Sequence, residues 1–173
     1  IIPRSASVST NFGNQSMPSF IEETGFRQVI LNLVINARDA IERTGKIQIS
    51  LQKVAKGKTI MKGAKGKKRF APVDGAELSL TDNGKGIPGE IQEKLFDPFF
   101  TTKSSDTGSG FGLYNTRVFI EDHNGLIGFS SEVGKGTTFF LFLPLETEEE
   151  ENPVRHLKKT KRATRAFIKT KKS

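Results

Sequence analysis

The chain has 173 residues, 27 Lys/Arg against 19 Asp/Glu for a formal net charge of +8, two histidines and no cysteine. That length supports one core of ordinary size with appendages, while the composition excludes disulfides and thiolate metal sites and leaves His123 and His156 too few for an imidazole-based one. No apolar run approaches the roughly 18 residues that span a bilayer, and no secretory signal pattern opens the chain.

The sequence starts Ile1-Ile2-Pro3 without an initiator methionine and reads as a piece of a longer protein. Residues 4–12 alternate weakly, as an edge strand does, and 13–18 read as a loop. Thr24 is placed to cap a helix over 25–43, with Gly45 just past its end. Phe26, Val29, Ile30, Leu33, Ala37 and Ile41 recur along it at helical spacing. Strands are predicted at 46–53 and 76–82. Between them lies a basic, glycine-rich excursion from a hairpin, residues 53–69, with eight Lys/Arg and no acid. From Asp82 to Gly112 the chain is punctuated by glycine and holds a short helix near 89–95. A second long helix spans 112–123 and closes at Gly125. Strands at 126–131 and 137–143 meet across a Gly134-Lys135-Gly136 turn. Mixed strands with two long helices predict a two-layer α/β sandwich, a mixed sheet with the helices on one face.

Residues 1–145 are read as the domain, and 146–173 as a charged tail whose composition predicts disorder. The tail begins with the acidic run Glu146–Glu151, and residues 152–173 then hold nine Lys/Arg and no acid. Outside the two basic segments ten bases face all nineteen acids, so the remainder carries −9. The basicity belongs to the appendages. Both are expected to be solvated and to give salt-sensitive, non-specific contact with polyanions, not a specific nucleic-acid site.

Five segments carry candidate chemistry. Asn32, Asn36 and Asp39 fall at i, i+4 and i+7 of the first helix, opposite the Leu33/Ala37/Ile41 stripe. Asn disfavours mid-helix positions, and two side-chain oxygens four residues apart suit a hydrated magnesium beside phosphates. Taken alone, such a pair reads first as a solvated face. Asp82-Asn83-Gly84-Lys85-Gly86-Ile87-Pro88 ends a strand with a carboxylate able to accept from an exocyclic amine. Its glycines let backbone pass close to a flat ring, although Asp-Asn-Gly is also an ordinary turn. Phe96-Asp97-Pro98-Phe99-Phe100-Thr101-Thr102-Lys103 puts three aromatics and a lysine in a loop, docked on the core or facing a partner. Gly108-Ser109-Gly110-Phe111-Gly112-Leu113 feeds a helix N-terminus, where backbone N–H groups favour phosphate. It is neither a Walker A loop nor a dinucleotide fingerprint. Gly134-Lys135-Gly136-Thr137-Thr138-Phe139 adds a turn and a hydroxyl.

In order and spacing these segments resemble the nucleotide-binding boxes of histidine kinases, gyrase-type topoisomerases, Hsp90 chaperones and MutL-type repair proteins, over residues 20–145. Asn32–Ala40 looks like the N box, Asp82–Pro88 the first glycine box, and Phe96–Lys103 the F box. Gly108–Leu113 looks like the second glycine box and Gly134–Phe139 the third. The resemblance implies the Bergerat type of sandwich and Mg-ATP as ligand. It implies magnesium on Asn36, phosphate support from Asn32, adenine readout by Asp82 with Gly86 against the ring, Gly84 and Ile87 as further ATP-binding residues, and Thr137 on the adenine side. Asp39, Thr102, Lys103, Gly108, Ser109, Gly110, Phe111, Gly112 and Leu113 are implied to complete the nucleotide site. The family's ATPases carry a Glu as general base four residues before the metal Asn, where this chain has Asn32. With the F box, that implies the histidine kinase branch, with Asn36 and Asn32 serving transfer and not hydrolysis. The resemblance further implies an acceptor histidine on an upstream dimerisation and phosphotransfer domain, a response regulator downstream, a cytoplasmic location, and membrane attachment only through other segments. Neither His123, read as a cation at a helix end, nor His156 fits as the acceptor. Ser109 and Phe111 depart from the usual Thr and Leu, and Asp39 and Ala40 from the family's frequent basic or aromatic residues. An ATP-driven clamp and a degenerate nucleotide-binding scaffold are the competing readings.

Overall fold

The computed structural model describes residues 5–42, 44–62, 68–103 and 110–146. The expected roles of Gly108 and Ser109, and the tail beyond Glu146, lie outside the described residues. Seven strands and three helices follow in the order β1 (Ser5–Asn11), α1 (Glu23–Ala40), β2 (Thr44–Val54), β3 (Thr59–Lys62), β4 (Lys68–Phe70), β5 (Gly75–Asp82), α2 (Gly89–Gln92), α3 (Gly112–Asp122), β6 (Leu126–Glu132) and β7 (Gly136–Pro144). Five strands form one sheet in the order β1-β2-β5-β7-β6. β1 runs parallel to β2, and the other neighbours are antiparallel. The result is the expected mixed α/β sandwich.

Alternation along the strands decides which residues face the helices. Ile47, Ile49, Leu78, Leu80, Phe139, Leu141 and Leu143 are buried on one side of the sheet. Val29, Leu33, Ala37 and Ile41 of α1 and its C-terminal boundary, with Ile120 of α3, join them in one cluster. Leu33, Leu80 and Ile120 are fully enclosed, and burying each such side chain contributes roughly 1.5–3 kcal/mol.

Two sequence expectations are corrected. α1 begins two residues earlier than predicted, because the Glu22 carboxylate, not Thr24, accepts from the backbone N–H groups of Thr24 and Gly25. Those bonds, Gly25 first, pull the Glu22 carboxyl below its ordinary range. The helix also stops at Ala40 and not at 43, since Ile41 turns extended and the chain enters β2. At the end of α3, His123 Nδ1 lies 2.8 Å from the Phe119 carbonyl, and Nε2 accepts from the Glu22 N–H at 3.3 Å, tying this helix end to the start of α1. Asn124, at φ 56°, makes the left-handed turn there, ahead of Gly125.

The basic excursion is not simply a solvated appendage. β3 and β4 form a two-stranded hairpin that folds back on the outer face of the main sheet. Ile60 and Ala71, 2% and 3% exposed, pack with Val54 and Phe142 into a second cluster, against which Leu126 and Phe140 lie. The cations Lys53, Lys56, Lys58 and Arg69 remain exposed. On that outer face Glu77 is buried and accepts from Gln52 at 2.8 Å, and burial raises its carboxyl above the ordinary range.

Candidate functional site

The end of β5 carries Asp82, 3% exposed and in register with Thr137 on β7. Its carboxylate accepts from the Gly84 N–H at 2.8 Å and from the Thr137 N–H. Burial raises its pKa above the ordinary Asp value, and those two bonds only partly offset it. Beyond Asp82 the chain is pinned on all sides. Asn83 Oδ1 accepts from the Lys46 N–H at 2.7 Å, and the Lys85 N–H donates to the Ala40 carbonyl at 3.0 Å. A side chain at Gly84 would meet Ala40 at 2.6 Å. Gly86 holds φ 72° with its Cα against the Glu132 carbonyl, so it satisfies two demands only glycine meets together.

Sequence reading missed the residue that ties this loop to the β6–β7 hairpin. The Ser131 hydroxyl accepts from the Ile87 N–H at 2.9 Å, donates to the Gly136 carbonyl at 3.0 Å and lies 2.8 Å from Thr137 Oγ1. Gln92 adds a bond to the Ile87 carbonyl at 2.8 Å. Thr137, 4% exposed, sits beside Asp82 with its hydroxyl joined to Ser131. The signal for Ser131 was its cross-strand pairing with Thr137, which needs the hairpin register and no motif.

The polar face of α1 supplies the other wall. Asn32, Asn36 and Asp39 are all half-buried, on the side away from Val29 and Leu33. Asn32 accepts from Gln28 at 3.0 Å and donates to the Gly112 carbonyl at 3.4 Å, so the first turn of α3 stands beside it. Asn36 Oδ1 accepts from Lys103 Nζ at 3.2 Å, and Asp39 Oδ2 pairs with the same ammonium at 2.7 Å. Arg38 holds Asp39 Oδ1 at 2.9 Å. Burial raises the Asp39 carboxyl, but the bonds from Lys103 and Arg38 outweigh it and hold it below the ordinary range. The groove thus runs along α1 from α3 at Asn32 to the Asp82 loop at Ala40. Eight residues of helix rise make that about 12 Å, the scale of an extended nucleoside triphosphate.

Asn36 fits a magnesium site by its donor chemistry. Its amide oxygen already faces a cation, the Lys103 ammonium, and a carboxylate oxygen shares that cation. Among the described residues no group of three or more His, Cys, Asp or Glu gathers for a metal. At the rim, Gly110 holds φ 71° against the Phe99 backbone, and the Phe99 and Phe111 rings meet edge-on at 4.6 Å. Phe99 itself has φ 65° and is 72% exposed. Leu113 packs on the core, whereas Thr102 is exposed.

Residues 21–147 match the family described as histidine kinase-, DNA gyrase B- and HSP90-like ATPases, and the chain belongs to that family. Within it, this is an ATP-binding catalytic domain of the histidine kinase kind. The sensor kinase CckA of Brucella abortus (strain 2308) is 36% identical over 151 residues, covering 87% of this chain and 16% of that protein. The signal transduction histidine-protein kinase AtoS of Escherichia coli (strain K12) is 36% identical over 135 residues, covering 78% and 19%. The solved catalytic domain of histidine kinase ThkA superposes with a TM-score of 0.62 at 30% identity, covering 81% of this chain and 79% of that one. The chain therefore spans less than a fifth of the length of these two curated relatives. Among the described residues no helix is long and apolar enough to cross a membrane.

Proposed function

We propose that this domain binds Mg-ATP and transfers its γ-phosphoryl group to a histidine on a separate dimerisation and phosphoacceptor domain, which in turn serves a response regulator. The supporting observation is the order of groups along the groove. Asp82 stands at one end, Asn36 in the middle, and Asn32 with the α3 N-terminus at the other. Adenine lies at Asp82, donating its exocyclic N–H to the carboxylate, with Gly84 and Gly86 giving backbone access to the ring. Asn36 would hold magnesium, which supplies charge neutralisation at the phosphates. The γ-phosphate then falls toward Asn32, where the α3 backbone N–H groups favour anions.

Transfer needs little covalent chemistry from the domain. The acceptor imidazole nitrogen attacks the γ-phosphorus while the bond to the β–γ bridging oxygen breaks, and ADP carries that electron pair away. Asn32 stands where the clamp ATPases place a glutamate. An amide bonded to Gln28 and Gly112 activates no water. This favours transfer over hydrolysis. The location is cytoplasmic, where ATP is available, with any membrane attachment through other segments.

The test uses radiolabelled ATP. The domain alone should remain unlabelled, since neither His123 nor His156 is an acceptor. An acceptor domain supplied in trans should become labelled, through an acid-labile, base-stable bond. Asn36→Ala should remove that label. Acid-resistant self-labelling that survives His123→Ala and His156→Ala would overturn the assignment in favour of a serine or threonine kinase.

A further inference from the structure

The Lys103 contact gives the metal position an occupant from the chain itself. Its ammonium lies 3.2 Å from Asn36 Oδ1 and 2.7 Å from Asp39 Oδ2, and the Lys103 and Asp39 side chains are only 31% and 22% exposed. Such distances leave no room for a second cation on the same two oxygens. Asp39 thus sets a carboxylate beside Asn36, against the same ammonium. Beside a triphosphate an unneutralised carboxylate repels, and both Arg38 and Lys103 are turned onto it. We propose that the Lys103 ammonium and the divalent ion are alternative occupants of the Asn36–Asp39 oxygen pair. Loading the metal expels Lys103 and frees the end of the 96–103 loop from α1.

The proposal rests on Asn36 being the metal residue, and it assigns two further roles. Asp39 is a positioning residue that keeps Lys103 at Asn36 until the divalent ion arrives. Lys103 is a resident cation that sets the metal concentration at which the site loads, and once expelled it is available to the phosphates. Charge decides the exchange. A divalent ion gains more from two oxygens than an ammonium does, but must first displace a charge-assisted contact.

The test uses Mn2+ alone, without nucleotide, titrated by electron paramagnetic resonance. Lys103→Met should bind Mn2+ about tenfold more tightly than the unchanged chain, the equivalent of one charge-assisted hydrogen bond. Adding Asn36→Ala to Lys103→Met should cancel the gain, as should adding Asp39→Asn. Lys103→Arg keeps the charge and should retain weak binding. Unchanged Mn2+ affinity in Lys103→Met would overturn the exchange, as would a gain that persists in Lys103→Met with Asn36→Ala. Because no nucleotide is used, the outcome separates from that of the phosphotransfer proposal. A gain cancelled by Asn36→Ala in a domain that fails to bind ATP would sustain the exchange and sink the nucleotide reading.

Discussion

At the scale of single residues, Asp82 carries the greatest consequence for ligand binding. Its carboxylate is enclosed, already accepts from two backbone N–H groups, and has its pKa raised chiefly by burial. An adenine amine would add a third donor to the ionised form. Asp82→Asn should therefore weaken nucleotide binding by about 10- to 100-fold, the cost of a charge-assisted bond, as read by calorimetry. Affinity in the unchanged chain should fall on acidification, beginning at a higher pH than an ordinary Asp would give, and Asp82→Asn should flatten that profile. An Asp82→Asn variant with full affinity would remove adenine readout from this residue. Folding linkage has the opposite sign. A carboxyl whose folded pKa is raised, as at Asp82 and Glu77, contributes stability below its unfolded pKa that is lost as pH rises through the folded one.

At the scale of elements, the sequence and the structure part where tertiary contacts overrule local pattern. The long elements were legible because periodicity reports burial directly. The Val29–Leu33–Ala37 stripe needed no partner to be seen. Helix ends were not, since a Glu cap at Glu22 competes with the more usual Thr24 signal. Of the candidate site, the polar face of Asn32, Asn36 and Asp39 and the Asp82–Gly86 loop were legible, since helical spacing and glycine positions place them. Ser131 was not, since it acts only once β6 and β7 are in register. The β3–β4 hairpin was misjudged because its lysines dominate the composition while two small contacts, Ile60 and Ala71, dock it. Ile60→Ala should accordingly cost about 2–4 kcal/mol in chemical denaturation, as a buried large-to-small change does. A cost below about 0.5 kcal/mol, the level of an exposed site, would mean the hairpin contributes nothing to the fold.

For the whole molecule, the division of charge predicts which functions separate. The candidate groove belongs to a part whose acids outnumber its bases, yet the residues proposed to face phosphate include an ammonium, amides and a helix N-terminus. Net charge therefore says little about ATP, whose recognition is local, and much about polyanions, whose attraction sums over the surface. Residues 152–173 contribute nine of the 27 Lys/Arg and none of the 19 acids. A variant ending at Glu146 should keep ATP affinity within about threefold, a change under ~1 kcal/mol. The same variant should elute from a heparin column at clearly lower salt, because each lost phosphate contact lowers the salt slope. The hairpin cations that remain exposed, Lys53, Lys56, Lys58 and Arg69, should leave a residual salt-sensitive retention. Calorimetry and heparin elution on one preparation decide the matter. Loss of ATP affinity beyond about tenfold would make the tail part of the nucleotide site, and unchanged elution would place the polyanion contact wholly on the hairpin.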